Sequence, residues 1–414
     1  MEIAGKNKTK RERDILYKLE TLIYNKNIAY SLLIVGIILS LLVLPVTQSA
    51  NLFENADLYK FTLFASGTSP YSILPWQAPY PPLYFMMWLF PYVLITSVTS
   101  TTTQTYLGFK LFSLIIVYLT TFVIYKTQRL SGEDRNKTIS LSALFLIGSQ
   151  YSLIVLAGDS IGFLLLALGA FFFIQNRDML GVFFVLLSIL FKIQPILGLL
   201  AIFIFIVKYQ SSKLINTAAV TAVTTLVLLI IPLLTLFSNS FQNFAAFDYN
   251  NLQLYNFNIY SGIADLSSNV FHLNITAVSQ FLANAWIVTL LLTIFIFTYV
   301  VFKTKLLKKA KLIDVLAIGL LIWIILFKQT LPYYFLWPSV VLLASGRTRS
   351  FLLLLSGEVL GSLFFIISYV LLGNAPTNYA IPPPIGVSIL FLTGGILFVT
   401  FGLFALRELI SEIT

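Results

Sequence analysis

The residues best suited to chemistry are few and scattered through a largely apolar chain. Asp57 stands in a polar, proline-broken stretch over residues 54–85, directly behind the first apolar run of membrane length. A carboxylate at a membrane surface is unfavourable unless water, a partner or a reaction needs it, so Asp57 is the first candidate for acid–base work. Lys192 opens the turn Lys192-Ile193-Gln194-Pro195, Lys328 is followed by Gln329, and Lys110 lies within a further apolar run. Compact ammonium groups in such places suit phosphate. The stretch 237–282 contains FQNFAAFDYNNLQLYNFNIY. Its rings can cover sugar C–H faces while its amides bond hydroxyls. Each feature also has a plainer reading, as a solvated loop acid, a snorkelling lysine or an interfacial tyrosine.

Other polar groups carry less. Asp159, in Gly158-Asp159-Ser160 at a helix start, reads as an N-cap. Glu358 lies in an apolar helix and is expected to bond a neighbouring helix without a role in chemistry. His272 reads as a surface residue, and Asn274-Ile275-Thr276 as a glycosylation sequon. With no Cys and one His, disulfides and a His/Cys metal centre are excluded. Neither a metal nor a cofactor is expected.

The elements that must position these residues are membrane helices. The composition, 58% hydrophobic and 10% charged, with repeated apolar runs of about 20 residues, indicates an all-α polytopic membrane protein. Residues 1–28 form a basic segment in which DILYKLETLIYNKN has the spacing of a helix lying along the cytoplasmic membrane surface. The apolar run from 29 follows as an uncleaved anchor, and residues 29–414 form the membrane domain. Placing 81–97 along the outer interface and breaking 179–208 into two short helices at Lys192–Pro195 puts 22 of the 26 basic residues on one side. That bias predicts about twelve crossings with both termini cytoplasmic. The rival makes 81–97 a crossing and 179–208 one helix of about 45 Å, too long for the hydrocarbon layer. In the favoured arrangement residues 50–105 form a first outer loop with interfacial helices, and 237–282 a long outer loop. The net charge of +10 then reflects topology, and no nucleic-acid partner is expected.

Several of these segments resemble a known family. Asp57-Leu58-Tyr59 with Ala65-Ser66-Gly67, Pro70-Tyr71 and Tyr80-Pro81-Pro82-Leu83 is similar to the first outer loop of GT-C fold glycosyltransferases that use a polyprenyl-phosphate-linked sugar. Lys192-x-Gln194-Pro195 resembles an element of the polyprenol-phosphate-mannose-dependent mannosyltransferases. Phe327-Lys328 with Thr330 and Tyr334-Phe335-Leu336-Trp337 resembles a segment of glycosylphosphatidylinositol mannosyltransferase I. The resemblance spans residues 29–345. It implies a GT-C-like bundle and an inverting transfer of a sugar, mannose by resemblance alone, from a polyprenyl-phosphate donor to a glycan or lipid-linked acceptor at the outer face. Asp57 would be the base, and Lys192, Lys328 and Lys110 would bind the donor phosphate. Tyr59, Tyr80, Gln194, Gln329, Tyr334 and Trp337 would line the substrate. Some relatives carry D-x-D where position 59 here is Tyr, which leaves Asp57 as the sole base and argues against a metal. The alternative from another class is a transporter or flippase of a lipid-linked sugar, although no convincing internal repeat supports it.

Overall fold

The protein is described by a computed structural model that covers residues 18, 21–45, 61–69, 80–154, 158–236, 259–327, 332–372 and 384–414. Among these residues the chain is helical throughout, with no strand. In chain order the helices are α1 (Lys26–Val43), α2 (Pro82–Val98), α3 (Thr102–Leu130), α4 (Arg135–Gly148), α5 (Gln150–Ile154), α6 (Ser160–Ile174), α7 (Asp178–Phe191) and α8 (Ile196–Tyr209). They continue with α9 (Ser211–Thr235), α10 (Ile259–Phe271), α11 (Ile275–Lys303), α12 (Leu312–Leu326), α13 (Leu336–Ala344, after a tight turn over Pro332–Phe335), α14 (Thr348–Leu372) and α15 (Ile385–Ile413). Polar residues fix several starts. Asn25 accepts from Asn27 N and Ile28 N, Asp134 from Asn136 N and Lys137 N, and Asn274 from Thr276 N and Ala277 N.

The helices fall into two lengths, and the difference shapes the molecule. α1, α3, α9, α11 and α15 are each long and apolar enough to cross a membrane. Those of 29 residues, α3, α11 and α15, reach about 43 Å. Their outward faces are apolar and exposed, as at Leu111 on α3 and Phe281, Leu291 and Phe295 on α11. In water such faces would be a liability; against lipid they are the expected surface. By contrast α6, α7, α8 and α12 are apolar helices of only 14 or 15 residues, about 21–23 Å. They pack inside the bundle with α13, where Ala167, Val185, Ile202, Leu316 and Val340 are fully enclosed.

One end of the bundle gathers basic residues and ties itself together with ion pairs. Arg347 donates twice to Asp314 Oδ1, at 2.9 and 2.8 Å, and once to the backbone oxygen of Glu412 at 3.2 Å. Lys213 pairs with Asp178 across the starts of α9 and α7. From these charges the short helices run 13 or 14 residues before they stop: Asp178 to Lys192, Asp314 to Phe327, and Arg347 back to Tyr334. Three separate helices therefore end about 20 Å from the basic end. The long helices rise past that level and leave a floor recessed among them.

One element differs from the sequence reading. The stretch 237–282 is not loop throughout: 259–271 is the helix α10, packed on α11 and α15, and α11 begins at Ile275. The density of Asn and Tyr hides an apolar period in IYSGIADLSSNVF, and Asn274 supplies the start signal for the next helix. The break within 179–208 is present, with α7 ending at Phe191 and α8 beginning at Ile196. Residues 82–98 form α2, which packs on α3, α7 and α9.

Candidate functional site at the recessed floor

The break between α7 and α8 arises from Pro195, which lacks an N–H and disfavours helix at the residue before it. Lys192 is extended there, at φ −152° and ψ 129°, and its side chain leaves the helix direction. It does not reach solvent. Lys192 is 6% exposed and pairs with Asp159, which is 0% exposed and immediately precedes α6. Asp159 makes no side-chain capping bond, so its carboxylate serves Lys192 in place of the helix start assigned to it from sequence.

Aromatic rings wall this pair. Lys192 Nζ lies 5.3 Å from the centroid of Tyr80 and 5.5 Å from that of Tyr334. At such range a ring face attracts an ammonium. Tyr80 stacks on Tyr84 at 4.2 Å, and Tyr84 contacts Phe191, the residue before Lys192, at 5.0 Å. Gly158 admits Tyr84 because any Cβ there would strike the Tyr84 hydroxyl. Trp88 of α2 donates from Nε1 to the Gly158 carbonyl oxygen at 3.2 Å, which locks α2 over the start of α6. Phe61 continues the cluster, stacking on Tyr84 at 5.9 Å and on Phe109 of α3 at 5.8 Å.

Of the residues singled out in the sequence, the fold brings Lys192, Tyr80 and Tyr334 together. Gln194 is in the same turn, 4% exposed, and its buried Oε1 has no hydrogen-bond partner among the described residues. Trp337 is one helical turn beyond Tyr334, wholly buried against Phe163 at 4.9 Å and against Gly162. It supports the floor from below. Lys110 is 1% exposed and donates to the Val43 carbonyl oxygen at 3.3 Å, beside the Tyr106 ring. It sits 20 residues from the C-terminal end of α3 and joins α3 to the end of α1. Asp57, Tyr59, Lys328 and Gln329 lie outside the described residues.

Sequence reasoning missed Asp159 as the partner of Lys192. The signal was available: Asp159 is the only acid between Arg135 and Asp178, and Lys192 the only base between Arg177 and Lys208. Two lone opposite charges in consecutive apolar helices are candidates for each other.

Beside the floor a shallow apolar crease runs between α8, α11 and α12 from Leu197 to Ile204, with Phe297 and Ile322 on its far walls. Among the described residues no three His, Cys, Asp or Glu side chains gather to hold a metal ion. The chain matches no protein family model, no curated protein and no solved structure.

Proposed function

We propose that the chain is a membrane glycosyltransferase that moves a sugar from a polyprenyl phosphate to an acceptor hydroxyl at the outer face. The observation that carries this reading is Lys192, an ammonium buried at a helix break, paired with Asp159 and walled by Tyr80 and Tyr334. A lipid phosphate needs a cation there, a sugar needs flat rings, and a chain needs an apolar path. The apolar crease that begins at Leu197, two residues beyond Pro195, offers a surface along which such a chain would lie.

In this mechanism the acceptor oxygen attacks the anomeric carbon as the bond from that carbon to the phosphate oxygen breaks. Asp57, four residues before Phe61 in the chain, takes the hydroxyl proton. The phosphate leaves with the bonding electrons, and the Lys192 ammonium compensates the negative charge it gains. Asp159 keeps the ammonium compensated while the site is empty, since a lone buried charge is strongly unfavourable. A placed base is worth about 10² to 10⁴ in rate.

The test is a transfer assay in detergent with a radiolabelled polyprenyl-phosphate mannose. Asp57→Ala and Lys192→Ala are each expected to lose about a hundredfold or more in transfer. Full transfer by Asp57→Ala sinks the assigned base. A wild type that carries the lipid across vesicles and forms no glycosidic bond sinks the enzyme reading.

A further inference from the structure

Helix α10 carries one acid, Asp265, and no counter-charge pairs with it among the described residues. Asp265 shares a helix face with Gly262, three residues before it, and Asn269, four residues after. That face lies on α15. A Cβ on Gly262 would meet the backbone of Leu392, and Asn269 Nδ2 donates to Ser388 Oγ at 3.0 Å. Another side of α10 is held by α11, where Tyr260 and Thr289 share a hydrogen bond. Asp265 is 0% exposed, and neither carboxylate oxygen has a hydrogen-bond partner among the described residues.

The helices packed on α10 offer nothing to offset a negative charge. α11 has no charged residue before Lys303 and α15 none before Arg407, both near the far ends of their helices. On α10 itself the other ionisable group is Tyr260, engaged by Thr289. A carboxyl enclosed in this way is favoured in its neutral, protonated form.

We propose that Asp265 is a proton-binding site that controls the docking of α10 on α11 and α15: the docked helix carries the neutral acid, and loss of the proton releases it. Burial pushes the carboxyl from 3.8 up to about 7. The docked form thus holds a proton that the released form surrenders, so docking is strongest at low pH. It weakens as pH rises from about 4 and reaches its limit above about 7.

The measurement needs no substrate and is independent of the enzyme reading. Amide hydrogen exchange over residues 259–271 is followed in the full-length protein in lipid nanodiscs at pH 5.5 and 8.5, corrected for the intrinsic pH dependence. Wild type is expected to exchange about tenfold or more faster at pH 8.5. Asp265→Asn, which keeps the shape and cannot ionise, is expected to show no such rise; Asp265→Leu serves as a second non-ionising variant. A flat wild-type profile overturns the proposal, and so does an equal rise in wild type and both variants.

Discussion

Lys192 illustrates how much a single side chain depends on its partner. Ion pairs buried in a protein contribute little net stability, yet removing one member leaves the other charge without compensation. Asp159→Asn is therefore expected to destabilise the protein by about 3–5 kcal/mol, read as a lower thermal midpoint in detergent. Replacing both members, with Asp159→Leu and Lys192→Met, should restore most of that stability and none of the transfer activity. If the double variant keeps activity, the pair is architectural. The position of Lys192 was legible from Pro195 and from the charge bias of the chain, because backbone chemistry and topology both act locally. Its pairing with Asp159 had only the isolation of the two charges to announce it, since residues 33 apart meet only when α6 and α7 fold into a hairpin. Lys110 shows the same limit: nothing near it in sequence announces the Val43 carbonyl.

Helix contacts depend on where side chains are missing. α8 and α12 approach so closely at Gly198 and Gly319 that a Cβ on Gly319 would overlap the Leu197 carbonyl oxygen and lie 2.6 Å from Gly198 Cα. Neither is a flexible side-chain end that can swing away. Gly319→Ala is expected to lower stability by about 1–3 kcal/mol and to displace the start of α8, reducing transfer as well. Gly386→Ala on α15, where an added Cβ meets nothing, should stay within about 0.5 kcal/mol of wild type. Denaturation of the two variants side by side checks this. Most apolar helices were visible in the sequence to within a few residues, because periodicity and length report them directly. α10 was not, since its polar residues face other helices and read like a loop in isolation.

For the whole molecule, the lack of cysteine makes the expected topology simple to examine. Ser100→Cys and Leu273→Cys, both exposed and at the end opposite the basic cluster, should react with an impermeant maleimide in intact cells. Lys309→Cys, exposed among the lysines after α11, should react only after permeabilisation. Labelling of Lys309→Cys from outside would reverse the orientation on which the outer-face reaction rests.

The short central helices also bear on which amphiphiles fit. A stack of 14 or 15 residues covers only about two thirds of a 30 Å hydrocarbon layer. In the proposed orientation, an amphiphile whose head settled on Lys192 would rest roughly 10 Å beneath its neighbours in the leaflet. Stiff two-tailed lipids resist that descent, whereas one long, kinked chain bends through it. Bilayer thickness then becomes a filter of its own: longer acyl chains around the protein deepen the drop and disfavour every occupant too rigid to follow.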